Sequence, residues 1–238
     1  MKTFNNILAI ETSGPICSIA LRSEKRIESA CSENENEHGL VILNFIEKLL
    51  KKSGLKKNDL DLIAISNGPG SFTGLRVANS VAQALAFAND IPLLPISSLA
   101  VLANQASIKL KKNRIFVIVN AHMKELYVAD YFCKKDVINV LKKEALIKVD
   151  DLSDSIEKNN YEICYVGNGV SFLKKIVKNF QISEVFHSDA SSMFNLIDKA
   201  IKDKLYSSAE KISPNYLSGE DHWLSLIHIS EPTRQFAI

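Results

Sequence analysis

The chain has 238 residues and a formal charge of +2, from 29 lysines and arginines against 27 aspartates and glutamates. Such a length holds one or two domains, and so even a balance excludes a nucleic-acid binder acting alone through its charge. A hydrophobic content of 46% argues against a disordered chain. No apolar run approaches the roughly 20 residues of a membrane span. The start, Met1-Lys2-Thr3-Phe4, leads straight into a strand-like run with no signal-peptide core, and a cytoplasmic location is expected. Cys17, Cys31, Cys133 and Cys164 show no CxxC spacing and read as free thiols of a reducing compartment.

In chain order, Asn6 to Ile10, Ile16 to Leu21 and Arg26 to Cys31 are short apolar or alternating runs split by turn residues, which predicts three antiparallel strands. His38 to Lys52 has a helical period and stops at Ser53-Gly54. Leu60 to Ser66 is a continuous apolar run, as a buried parallel strand requires. A loop over Asn67 to Gly74, a helix over Leu75 to Ala88 and an extended segment over Ile91 to Ile96 follow. The second half repeats the pattern. Strands are predicted at Arg114 to Val119, Leu126 to Phe132, Val137 to Leu141 and Tyr161 to Val166, and helices at Asp151 to Asn159, Val170 to Asn179 and Ser192 to Tyr206. Asn67-Gly68 and Asn168-Gly169 take equivalent places, as do Glu11 and Asn120. Two lobes of β-β-β-α-β-α order imply a cleft between them, where ligands bind by default.

Gly68-Pro69-Gly70-Ser71-Phe72-Thr73-Gly74 follows a buried strand and opens a helix, so its N–H groups could hold an anion. No Gly-Lys-Ser/Thr follows, and the spacing is GxGxxxG, so it is neither a Walker A loop nor a dinucleotide fingerprint. Glycines there equally allow a sharp turn and close packing. Glu11-Thr12-Ser13-Gly14 could hold a divalent ion and phosphate, or be a solvated turn. Glu11, Thr12, Ser13, Gly68, Gly70 and Ser71 are therefore the candidate nucleotide or loop contacts. His38, His122, His187, His222 and His228 form no i, i+4 pair, and no metal site is expected. No Gly-x-Ser-x-Gly elbow is present. The basic runs Lys109-Leu110-Lys111-Lys112 and Lys134-Lys135 read as solvated turns or nucleic-acid contacts.

ILAIETSGPICSIAL (Ile7 to Leu21), SNGPGSFTGLR (Ser66 to Arg76), IPLLPISSL (Ile91 to Leu99), VNAHMKELYVADY (Val119 to Tyr131), GNGVSF (Gly167 to Phe172) and PNYL (Pro214 to Leu217) together resemble the TsaB (YeaZ) family in order and spacing. The resemblance implies an α/β, two-lobed actin/hexokinase/Hsp70-like (ASKHA, RNase H-like) fold, with lobes at 1–106 and 107–223. It implies a non-catalytic subunit in the synthesis of N6-threonylcarbamoyladenosine, on the adenosine beside the anticodon of tRNAs reading A-starting codons. TsaD would carry the catalytic site, TsaE would join as an ATPase, and TsaC would make the threonylcarbamoyl-adenylate. The chain would pair with TsaD, or with itself when TsaD is absent, meet tRNA only within the complex, and hold no cofactor, ATP and a metal ion being used by its partners. TsaD-like chains carry a His-x-x-x-His pair where Ser98 and Leu102 stand here. Asn120 and His122 stand where the family usually has Asp and Arg. Leu224 to Ile238 resembles nothing in the family and looks like a cloning scar, expected to be dispensable.

The rival readings are an ATP-dependent phosphotransferase and a glycoprotease-like peptidase of the same fold. Glu11 and Asn120 are poor acids for the first, and no metal pair or activated nucleophile is visible for the second. On the helix from Leu75, the residues Arg76, Asn79, Ser80 and Gln83 make one narrow polar strip. Leu40 and Val41 share an arc with Asn44 on the helix before it. Both helices could be buried inside one lobe. In the sharper reading Leu40, Val41, Asn44, Leu75, Arg76, Ala78, Asn79, Ala82, Gln83 and Ala86 form the partner interface, and arginine at Ala82 or Ala86 breaks association without unfolding the chain.

Overall fold

The computed structural model describes residues 3–134, 137–157, 162–176, 181–182 and 187–217. β1 (Asn6–Glu11), β2 (Ser18–Ser23) and β3 (Arg26–Cys31) form an antiparallel meander. α1 (His38–Ser53) then returns the chain, so that β4 (Leu62–Ser66) lies parallel to β1. Gly54, at φ +69°, stops α1 and bonds its N–H to the carbonyls of Leu50 and Lys51. α2 (Phe72–Asn89), capped by the Ser71 hydroxyl, leads to β5 (Leu93–Ile96), parallel to β4. The central strands β1 and β4 are buried on both faces, which is why they read as unbroken apolar runs.

α3 (Ser98–Leu110) connects to a second sheet. β6 (Arg114–His122), β7 (Glu125–Lys134) and β8 (Val137–Lys148) are again an antiparallel meander. β9 (Ile163–Val166) is parallel to β6, and β10 (Gln181–Ile182) to β9. α4 (Leu152–Ser155) and α5 (Val170–Ile176) flank β9, and α6 (Phe194–Lys202) comes last. The first sheet has the order β3-β2-β1-β4-β5 and the second β8-β7-β6-β9-β10. The same order with the same strand directions occurs twice, which is the duplicated architecture of the actin/hexokinase/Hsp70 fold.

Several elements differ from the sequence reading. α3 was not foreseen as a helix. Eight of its positions are buried, so it lacks the polar stripe that marks a surface helix. β8 continues past Leu141 to Lys148. The helix expected from Asp151 is one turn, and that from Ser192 is a 3-10 turn (Ala190–Met193) followed by α6. The ends of the helices predicted to reach Asn159 and Asn179, and the tail from Leu224 to Ile238, lie outside the described residues.

The core shows how the lobes interlock. α1 and α2 cover one face of the first sheet, with Ile42, Ile46, Leu49, Ala78, Ala82 and Ala86 against Leu8, Ile10, Ile63 and Ile65. The other face, with Ile7, Ala9, Leu62 and Leu94, is covered by Met193, Phe194 and Ile197 from the C-terminal end of the chain. α3 rests instead on the second sheet, with Leu99, Leu102, Ala103 and Ala106 against Ile115, Val117, Ala129 and Tyr131. A boundary at residue 106 therefore falls inside α3, and the segment from residue 187 onward returns to the first lobe.

Candidate functional site

The glycine loop and the first hairpin are stacked backbone on backbone. A Cβ on Gly74 would stand 2.0 Å from the Thr12 carbonyl oxygen, and one on Gly70 would stand 2.4 Å from that of Ser13. Ser71 N–H donates to the Ser13 carbonyl at 2.7 Å, and the Thr12 hydroxyl donates to the Gly74 carbonyl at 2.8 Å. The glycines thus serve close packing. The second lobe repeats the device, with Gly167 and Gly169 pressed against Ile118 and Gly169 N–H donating to its carbonyl at 2.9 Å.

Of the candidate nucleotide contacts, Ser13, Gly70 and Ser71 line a cleft of about 570 Å³ between the lobes. Glu11, Thr12 and Ser13 are buried, which corrects the reading of that loop as a solvated turn. Glu11 Oε1 accepts from both the N–H and the hydroxyl of Ser13 (2.7 and 2.5 Å). Its Oε2 is buried with no hydrogen-bond partner among the described residues. Burial holds the Glu11 carboxyl above its ordinary pKa, and the hydroxyls of Ser13, Ser66 and Ser188 offset this only in part. His38, on α1 beside Gly74, is buried, and neither ring nitrogen makes a geometrically sound hydrogen bond among the described residues. Burial lowers its pKa and also that of His187 on the cleft wall, where nearby Glu35 partly opposes the shift. Sequence reasoning named Glu11 and Ser13 but missed His38, Ser66, His187 and Ser188, which lie far apart in the chain and form no motif.

Asn120, His122, Tyr127 and Asn168 form the opposite wall, and Ser98, Leu99 and Leu102 come from the start of α3. Asn168 Oδ1 accepts from Asn120 N–H at 2.8 Å, so the second-lobe counterparts of Asn67 and Glu11 are tied to one another. Ser98 hydrogen-bonds the Pro69 carbonyl, and Leu102 offers no ligand atom. Among the described residues no lysine or arginine lines the cleft, and no serine hydroxyl is hydrogen-bonded to a histidine. Nor do three His, Cys, Asp or Glu side chains converge as a metal would need. The described lining offers hydrogen-bonding groups and no lysine or arginine that would grip a polyphosphate.

The proposed interface needs correction. Leu75, Ala78, Asn79, Ala82 and Ala86 point into the chain's own core, with Ala82 at 0% exposure. The small residues fit α2 closely onto its own sheet, and Asn79 donates to the Leu75 carbonyl at 3.0 Å. Gln83 donates to the Ile212 carbonyl at 2.7 Å, so its partner is the C-terminal segment of the same chain. Arg76 lies over the Phe72 ring at 3.8 Å and donates to the Tyr216 hydroxyl at 3.3 Å. Val41 is half-buried against the core. Leu40 and Asn44 do face outward. Also exposed are residues the sequence reading did not place in the interface: Leu43 on α1, and Ser80, Ala84, Phe87 and Ala88 on α2. Leu40 is 82% exposed and Phe87 76%. The available signal was Leu43, an apolar residue on the polar arc of α1, and a helix α2 whose outer face carries a single charge, Arg76.

Comparison with known proteins fits this architecture. The family model for TsaD, tRNA N6-adenosine threonylcarbamoyltransferase, matches residues 32–219. The TsaB protein of Buchnera aphidicola subsp. Schizaphis graminum is 36% identical over 170 residues, covering 71% of this chain and 81% of its own length. Escherichia coli TsaB is 28% identical over 225 residues, covering 92% and 97%. A crystal structure from Pseudomonas aeruginosa described as similar to peptidase YeaZ superposes with a TM-score of 0.83 at 28% identity, covering 90% of this chain and 99% of that one. A threonylcarbamoyltransferase from Pediococcus pentosaceus is 33% identical over 108 residues, but the match spans only 31% of its length. Near end-to-end coverage of the shorter proteins, against a fraction of the transferase, places the chain among the former: it belongs to the TsaB (YeaZ) family of tRNA threonylcarbamoyladenosine biosynthesis proteins.

Proposed function

We propose that this chain is the non-catalytic partner subunit of the transferase TsaD in the complex that forms N6-threonylcarbamoyladenosine beside the anticodon of tRNAs reading A-starting codons. The observation that carries this reading is the outward face of α1 and α2. Leu40, Leu43, Ala84, Phe87 and Ala88 are exposed there, and half-buried Val77 and Val81 lie beside them. An apolar helical face of this kind seeks another helical surface, and large apolar anchors dominate such contacts. TsaD occupies the face in the complex, and a second copy of this chain occupies it when TsaD is absent. TsaE joins through the complex. ATP and a metal ion belong to the partner subunits, and the cytoplasm is the compartment.

Co-expression with TsaD tests the reading. Leu40→Asp combined with Phe87→Asp should abolish co-elution in size-exclusion chromatography while the circular dichroism spectrum stays unchanged. The purified chain with threonylcarbamoyl-adenylate and tRNA but no TsaD should give no modified tRNA. Product above the no-protein control would overturn the non-catalytic role.

A further inference from the structure

Two basic runs separated by more than twenty residues in sequence meet at one end of the second lobe. Lys109 closes α3, Lys111 and Lys112 lie in the turn to β6, and Lys134 ends β7. The fold brings them together because β6 and β7 pair in the register Arg114↔Phe132, and Cys133 N–H donates to the Asn113 carbonyl at 2.6 Å. None of the four lysines has an ion-pair partner among the described residues. The nearby carboxylates Asp130 and Glu157 are both taken by Arg114. Lysines at a helix C-terminus also favour the helix dipole, but Lys112 and Lys134 lie outside α3. Lys111 moreover stands at φ +54°, the helix-stop position that glycine or asparagine fills most easily. From Arg114 to Val119, where β6 reaches the cleft, is about 17 Å of strand.

We propose that Lys109, Lys111, Lys112 and Lys134 form a contact for RNA phosphates at the end of the second lobe remote from the cleft. The identity of the RNA as tRNA rests on the reading given under Proposed function. The contact is electrostatic and carries no base specificity. It adds to the affinity of an assembly, in keeping with a chain whose overall charge is too small to bind RNA tightly by itself.

The test is tRNA binding by fluorescence anisotropy over a range of salt concentrations, with the full chain alone and with the chain mixed with TsaD. Replacing all four lysines by alanine should lower the log–log salt slope by about 3 and weaken binding at least about tenfold at low salt. Lys111→Gly separates charge from structure: it should raise the melting temperature, since glycine suits the left-handed position, while weakening RNA binding. Unchanged slope and affinity in the four-lysine variant would overturn the proposal. So would equal capture of both proteins by tRNA alongside lysine-dependent capture by vesicles rich in anionic lipid. If the chain fails to associate with TsaD, the docking reading fails, while the titration with the chain alone still decides the lysine contact.

Discussion

His38 and Glu11 lie on either side of the Thr12–Gly74 contact, and burial drives their proton affinities in opposite directions. The folded chain resists protonating His38, whereas the unfolded chain takes up that proton near pH 6.5, at about the free imidazole value. The stability that neutral His38 contributes is therefore present above about pH 6.5 and lost as the pH falls below it. The raised pKa of Glu11 acts the other way, because the unfolded chain releases its proton first and stability falls as the pH rises through the carboxylate range. His38→Gln should flatten the loss of stability between about pH 7 and pH 5, and Glu11→Gln should steepen it. Urea unfolding midpoints at several pH values measure both. The glycine loop itself was legible in the sequence as a strand-to-helix turn. Its use was not, because whether a glycine meets a phosphate or a carbonyl depends on what the fold sets opposite it, here Thr12 and Ser13.

At the scale of elements, α2 shows what periodicity gives and withholds. Its extent and its lack of charge were readable, since Leu75 to Ala88 has a clear apolar period. Which apolar arc met the chain's own sheet was not readable, because Ala78, Ala82 and Ala86 on one side and Ala84 and Ala88 on the other are the same kind of residue. Only the placement of β4 beneath the first arc decides. The two arcs make opposite predictions. Ala82→Arg drives a large charge into the core and should cost at least about 3 kcal/mol, enough to lose the fold. Ala84→Arg should leave the melting temperature within about 2 °C, a surface effect below roughly 0.5 kcal/mol, yet abolish co-elution with TsaD. Folded, soluble Ala82→Arg would contradict the assignment of faces. α3 was missed for a related reason: packed between the sheets on nearly every side, it has no polar arc to reveal a helical period.

For the whole molecule, the duplication was visible in the order of strands and turns, but the exchange of helices between lobes was not. A helix records in its sequence that it is covered, and not which sheet covers it. The first sheet is completed by Met193, Phe194 and Ile197, and Arg22 on β2 forms a two-pronged pair with Asp198 on α6 (2.9 and 2.6 Å). A fragment ending at Ser97 would expose Ile7, Ala9, Leu62 and Leu94, and should not give the dispersed NMR spectrum of a folded lobe. The full chain should unfold in one transition monitored by fluorescence and circular dichroism alike, and two separated transitions would contradict the interlock.

The stacked glycines carry a consequence for the cleft they flank. In each lobe the turn that frames the opening is seated on a carbonyl with no clearance, at Thr12 and Ser13 on one wall and Ile118 on the other. The shape of each wall is therefore gauged largely by main chain, much as a jig holds a plate, and most of the side chains exposed in the gap take no part in holding it. Exposed lining residues such as Glu35 and Thr73 can be exchanged for residues of quite different chemistry without that wall shifting, whereas Ser98 and Leu102 are tied into it by a hydrogen bond and by core packing. Such a frame lets a lineage erase or rewrite what the opening does to a small molecule while the outer helices, and whatever they meet, stay where they were.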